Sequence, residues 1–203
     1  MSSNSNLLIV ERLAPGQPEH EGYARPLEIG GKNPPACAAR RRILLALAAL
    51  PFAVFARTDP TAGLSRWGSG EFRRFGLLVY EATLWAADDP QRPPLALKLT
   101  YRRSIAAQAI VDASVKEMRH LGFSDETTLQ RWGQQMTRLF PNVMPGDHIL
   151  GYFAPEAAVF YFNDRRLGSI EDAAFARAFF AIWLDPKTSA PELRAALLKR
   201  QAG

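Results

Sequence analysis

Arg73 and Arg74, followed on the same segment by Tyr80, form the constellation with most chemical promise in this sequence. A guanidinium beside an apolar cleft holds a carboxylate or a phenolate through charge-assisted hydrogen bonds, and a phenol hydroxyl can assist. The competing reading of the same residues is a solvated strand end beside a core tyrosine. Other chemistry finds less support. Glu71 and Glu81 flank this stretch, but isolated carboxylates are ordinary surface groups and do not by themselves make a general base. His20, His120 and His148 stand apart from any residue at metal-ligand spacing; they read as solvated histidines, and no metal is expected. No nucleophile is placed beside a base and an oxyanion donor, and Gly68-Ser69-Gly70 is too short for a phosphate loop. No catalytic residue and no cofactor are therefore predicted. Phe72, Phe75, Trp85, Phe160 and Phe162 could line a ligand cleft, although aromatic residues on strands and helices read first as core.

These side chains need elements to position them. The stretch from Phe72 to Trp85 is dense in aromatic and β-branched residues, which predicts one long strand or two joined at Gly76. Leu95, Leu97 and Leu99 alternate with Ala96, Lys98 and Thr100 as a half-buried strand, after turn signals at Asp88-Asp89-Pro90 and Pro93-Pro94. Ser104 is positioned to cap a helix with the stripe Ala107, Val111, Val115 and Met118, ended by Gly122. A second helix is predicted from Ser124, with the face Leu129, Trp132, Met136 and Leu139, stopped by Pro141. A meander of short strands follows, with turns near Pro155 and at Asn163-Asp164; its segment Ala158 to Phe162 is apolar on both faces, as a central strand would be. Ser169 with Asp172, and Ser189 with Glu192, have capping-box spacing before two last helices, which carry Phe175, Phe179, Ile182 and Trp183, then Leu193 and Leu197. Strands, two helices, strands, two helices make an α+β fold with an antiparallel sheet covered on one side.

The region before residue 57 reads differently. Three arginines, Arg40 to Arg42, precede fourteen uncharged residues from Ile43 to Ala56. That run is shorter than the roughly 20 residues a membrane span needs, and with Val54-Phe55-Ala56 as a cleavage site, residues 40–56 read as a signal peptide. The arginines also fit a twin-arginine address, so export by the Sec or the twin-arginine route is expected, to the periplasm or the exterior. The alternative, a buried core helix, would ordinarily carry a polar face, and this run has none. Residues 1–39 are rich in Pro, Gly and Glu and are expected to be disordered. Because a signal normally begins near the N-terminus, a start at Leu27 or Ile29 in place of Met1 is a further expectation. Residues 57–203 are then one mature domain. Cys37 is the sole cysteine, which leaves that domain without thiol chemistry. The net charge is +5 overall, and from Arg57 onward 19 basic residues face 16 acidic ones, a balance that makes no case for nucleic acid. No membrane span is expected after the signal is removed.

Particular segments carry a family resemblance: Gly68-Ser69-Gly70 followed by VYEATLWA (79–86), LTYRRSI (99–105), LFPNVMPGD (139–147), and FYFNDRRLGSIEDAAFARAFFAIWLDP (160–186). This chain resembles the chalcone isomerase-like family, in particular its bacterial envelope branch. The resemblance implies an open-faced β-sandwich: a curved antiparallel sheet with helices packed on one face and a cleft between them. In plant members that cleft cyclises a chalcone or holds a fatty acid, with an arginine after the Gly-x-Gly stretch engaging the phenolate or carboxylate. By spacing, that arginine falls on Phe72, with Arg73 and Arg74 just beyond. Arg73 serves only if a bulge redirects it, whereas Arg74 shares the face of Phe72. The plant tyrosine after the inter-helix glycine is absent, since Phe123 follows Gly122, and the threonine of the long strand corresponds most nearly to Tyr80. Arg103 matches a position that the family commonly keeps, where a structural tie between strand end and helix start is the natural role.

Arg73, Arg74, Tyr80 and Arg103 are thus the candidate ligand-binding residues. The leading expectation is an exported, non-catalytic protein that binds a small amphipathic molecule, a fatty acid or an aromatic acid, in the cleft. An isomerase or intramolecular lyase of the chalcone isomerase type, and a structural or partner-binding envelope protein with a closed cleft, are the alternatives. The sequence does not determine the oligomeric state.

Overall fold

The computed structural model describes residues 59–200. The expected tail of residues 1–39, the expected signal peptide of residues 40–56, His20 and Cys37 lie outside the described residues. The elements run β1 (Ser65–Arg74), β2 (Leu77–Ala86), β3 (Leu95–Tyr101), α1 (Ala107–His120), α2 (Glu126–Leu139), β4 (His148–Ala154), β5 (Ala157–Phe162), β6 (Arg165–Ile170), α3 (Ala173–Leu184) and α4 (Pro191–Leu198). The six strands form one open sheet in chain order, antiparallel at every step. Helix α4 lies on β1 and β2, α3 on β4 and β5, and α2 against β6, while α1 packs on α2 and α3. This is the α+β architecture that the element order predicts. Among the described residues, no helix is long and apolar enough to cross a membrane.

Alternation along the strands separates the two faces. On β2, buried Ala82, Leu84 and Ala86 alternate with partly exposed Thr83 and Trp85. Trp85 lies 5.3 Å from the Lys98 ammonium, so it belongs to the partly exposed face of the sheet and lines nothing beneath the helices. The pairing skips Trp67 on β1, Val79 on β2 and Leu167 on β6, and bulges of this kind increase local twist and bend.

Beneath the helices the core is strongly aromatic. Phe160 on β5 meets Phe140 and Phe179 edge-on at 5.0 and 5.1 Å, and Phe153 on β4 stacks on Phe180 at 4.9 Å. Burying a Phe side chain contributes about 1.5–3 kcal/mol, and each well-oriented ring pair adds about 0.5–1.5 kcal/mol. The side chains of α3 therefore bind the helical layer to the sheet.

The Gly-Ser-Gly stretch is a packing device. A Cβ at Gly68 would lie 2.5 Å from Ala196 O and closer still to Leu197 O, and one at Gly70 would lie 2.7 Å from Ala196 Cβ. Only glycine lets the backbone of α4 approach β1 this closely. Trp67, at the bulge between Arg66 and Gly68, donates its indole N–H to Leu198 O at 3.1 Å and holds the end of α4.

Helix boundaries depart from the expected caps. Ser104 does not cap α1; Ala107 N–H donates instead to Asn142 Oδ1 at 2.8 Å, a partner supplied by the distant 140–147 loop. Helix α2 begins at Glu126 with Asp125 as its N-cap. Asp172, not Ser169, caps α3 by accepting from Ala174 and Phe175 N–H. Ser189 does not cap α4; its N–H and hydroxyl both donate to Glu117 of α1. Gly122 ends α1 as expected, at φ +100 with its N–H on Arg119 O.

Candidate functional site

Strand pairing brings Phe72, Tyr80 and Tyr101 into one row across β1, β2 and β3. Phe72 stacks on Tyr80 at 4.9 Å, and Tyr101 meets Tyr80 edge-on at 6.1 Å. Trp183 of α3 completes the group: its indole N–H donates to the Tyr80 hydroxyl at 3.1 Å. This bond fixes the row on the helix-facing side of the sheet.

Burial dominates the electrostatics. It pushes the Tyr80 phenol well above the ordinary tyrosine range, partly offset by the Trp183 hydrogen bond, with the Glu117 carboxylate adding to the rise. Tyr101 is raised in the same way, by burial first and then by Tyr80. Both phenols are therefore neutral at physiological pH. With Trp183 donating to its oxygen, the Tyr80 O–H remains a donor for an incoming acceptor such as a carboxylate oxygen, and among the described residues none takes it. A high-pKa phenol is a weak acid and, when neutral, a weak base. The Glu117 carboxylate is held by Ser189. This arrangement is suited to holding and orienting a molecule.

The four sequence candidates separate. The bulge beside Arg73 places its extra residue, Val79, on β2, so β1 keeps strict alternation through Phe72, Arg73 and Arg74. Arg73 consequently shares the outer face with Glu71, to which its guanidinium donates at 2.8 Å, and also reaches Gly76 O at 3.3 Å. The conditional expectation for Arg73 fails because the bulge lies on the other strand. Arg74 falls on the face of Phe72, half-buried, with its guanidinium 5.4 Å from the Phe75 ring centroid. The structure thus groups Tyr80 and Arg74 on one side of the sheet and sends Arg73 to the other. Arg103 is exposed in the bend after β3; its neighbour Arg102 makes the structural tie, donating twice to Glu81.

Sequence reasoning missed two members of this group, Tyr101 and Trp183. Trp183 read as one more apolar residue on a helix face, although a buried indole N–H must find an acceptor. The acceptor lies 103 positions away. His120 and His148 sit elsewhere, against Lys187 O and Asp164 respectively.

The quoted LFPNVMPGD and FND segments are joined by their own hydrogen bonds. Asp147 accepts from Met144 N–H and from the Asn163 amide, whose oxygen accepts from His148 N–H. Asn163 and Asp164 both have positive φ in the turn, a conformation that these two residue types tolerate best. These motif residues close one end of the sheet, where Asp147 O and Gly146 N–H pair with the backbone of Tyr101.

Comparison with known proteins agrees with this architecture. A family model described as chalcone isomerase-like matches residues 74–199. An uncharacterized protein of Haemophilus influenzae is 32% identical over 148 residues, covering 72% of this chain and 70% of that protein. The crystal structure of a fatty-acid binding protein of Arabidopsis thaliana superposes with a TM-score of 0.53 at 13% identity, covering 67% of this chain and 87% of that one. At that identity the likeness is one of fold. The sequence match over most of the described domain and the sheet-and-helix architecture agree: this chain belongs to the chalcone isomerase-like family.

Proposed function

We propose that the protein binds a small amphipathic acid, a fatty acid or an aromatic acid, against the Phe72–Tyr80–Tyr101 row and does not transform it. The observation that carries this reading is the Trp183–Tyr80 hydrogen bond. It sets a neutral phenol, with its proton free to donate, on an apolar aromatic surface under the helical layer. Arg74, on the same face of β1, supplies the charge for the carboxylate. The likeness in fold to a fatty-acid binding protein supports the ligand class. Phe72 and Tyr80 are only partly buried, so the ligand seats against their accessible edge with the Trp183–Tyr80 bond in place. The apolar run behind Arg40 to Arg42 is the reason to place this binding in the periplasm or outside the cell.

Calorimetric titration of the full chain with a long-chain fatty acid tests the reading. Saturable binding is expected, weakened in Arg74→Gln by about tenfold or more, since a charge-assisted hydrogen bond contributes about 1.5–3 kcal/mol. Equal affinity in both chains, or no heat of binding, contradicts it. Chalcone added to the native protein should cyclise no faster than in buffer.

A further inference from the structure

Because the strands follow one another in chain order, the connections alternate between the two ends of the sheet. One end carries the β1–β2 turn, the bend after β3, the 140–147 loop and the β5–β6 turn. Backbone hydrogen bonds weld these together: Arg102 N–H to Val79 O, Gly146 N–H to Tyr101 O, and Asn163 N–H to His148 O. The large hydrophobic side chains that the described residues leave exposed are Phe75, Leu77 and Met144, at 69, 48 and 65%. All three are at this end.

The charges divide the same way. Arg73, Arg74, Arg102, Arg103, Arg165 and Arg166 cluster about this end, against Glu71, Glu81, Asp147 and Asp164. At the opposite end Asp88, Asp89, Glu156, Glu171 and Asp172 are met by Arg66, Arg92, Arg131, which pairs with Asp172 at 3.4 Å, and Arg200, which lies over the Trp67 ring. The opposite end is thus close to balanced, and the end with the excess of arginines is also the apolar end. A protruding aromatic and aliphatic tip ringed by arginines matches an anionic bilayer surface: the side chains enter the acyl boundary while guanidinium groups meet the headgroups. Phe75 is held at the apex by the turn itself, with φ +49 followed by Gly76 at φ +77. Two successive positive φ values in a two-residue hairpin favour Asn-Gly, so local backbone preference does not explain phenylalanine at this position.

We infer that this end of the sheet, led by Phe75 with Leu77 and Met144 and ringed by Arg103, Arg165 and Arg166, docks the protein on an anionic lipid surface. The inference stands apart from the ligand reading, because it needs no occupied cleft. It also does not depend on the apolar run of residues 43–56, which is unchanged in the variant used to test it.

The test is co-flotation of the full chain with vesicles of phosphatidylglycerol mixed into phosphatidylcholine, against vesicles of phosphatidylcholine alone, for the native protein and Phe75→Asn. The substitution installs the preferred turn residue, so the fold is kept while the anchor is lost. Binding should require phosphatidylglycerol, fall with added salt, and drop about tenfold or more in Phe75→Asn, the scale set by removing one Phe side chain from an apolar phase. Hydrogen exchange should show the amides of 73–79 and 142–146 slowed by the anionic vesicles alone. Unchanged flotation of Phe75→Asn together with unprotected hairpin amides overturns the inference. So does lipid-independent self-association that Phe75→Asn abolishes, which would assign this end to a second copy of the chain.

Discussion

Replacing Gly68 by alanine puts the packing of α4 on β1 to the test. The added Cβ would lie 2.5 Å from Ala196 O and 2.7 Å from the Leu197 carbonyl carbon, against an ordinary separation of about 3.5 Å for van der Waals contact. Something must retreat by about 1 Å, and both opposing groups are backbone. Helix α4 cannot yield freely, because Leu193 and Leu197 anchor it at 3 and 0% exposure and Arg194 is tied to Leu184 O at 2.8 Å. Overpacking of this kind costs about 1–3 kcal/mol. Stretching the 3.1 Å bond from Trp67 to Leu198 O adds about 1 kcal/mol. The sum, about 2–4 kcal/mol, corresponds to a fall in Tm on the order of 10 °C for a domain of this size. Gly133→Ala is the internal control: its Cβ would meet Val115 at 3.5 Å and Val111 at 3.8 Å, ordinary contacts. Inside α2 that change should stabilise by about 0.5–1 kcal/mol through helix propensity. Thermal unfolding followed by circular dichroism separates the two substitutions. If Gly68→Ala melts within about a degree of the native protein, the packing argument for the Gly-Ser-Gly stretch is wrong.

Three further outcomes follow from the site and the proposed export signal. Tyr80→Phe leaves the buried Trp183 indole N–H without its acceptor, which should cost about 1–3 kcal/mol in urea unfolding; an unchanged midpoint would show the bond to be dispensable. Burial raises both Tyr80 and Tyr101 above the unfolded value of 10.0, so the fold favours the protonated phenols. Their contribution is complete below pH 10 and is lost as pH rises above it, by up to about 1.4 kcal/mol per pH unit for each, less where Tyr80 is reached by solvent. Urea midpoints should hold from pH 8 to about 10 and then fall, less steeply in Tyr101→Phe; a flat profile to about pH 11 contradicts the assignment. N-terminal sequencing of protein purified from its own cells should begin near Arg57, and recovery of an intact Met1 would remove the proposed export signal.

Most of the fold was legible in the sequence because it is encoded locally. Leu95, Leu97 and Leu99 alternate, Val111 and Met118 recur at helical spacing, and Gly122, Pro141 and the Asn163-Asp164 turn punctuate the chain where the elements end. The helix starts were less legible. Asn142 and Glu117 reach across the tertiary structure to satisfy groups that Ser104 and Ser189 were expected to serve or supply, and no local spacing records such partners. The site divides in the same way. Strand alternation alone put Arg74 on the face of Phe72, and it held because the bulge fell on the facing strand at Val79, a choice only the pairing reveals. Tyr80 stood out as a hydroxyl in an apolar strand. Trp183 did not, because its role depends on α3 crossing the sheet far from β2 in sequence.

The most direct test of the central claim is the tryptophan emission of the native protein during titration with a brominated long-chain fatty acid, repeated with Trp183→Phe. Trp183 is one of four tryptophans, so the difference between the two titrations isolates its response. A ligand seated on the Phe72–Tyr80–Tyr101 row should quench Trp183 saturably, and the Trp183→Phe protein should lose most of that quenching. Quenching that is absent, or equally large in both proteins, would place the ligand elsewhere and contradict the account.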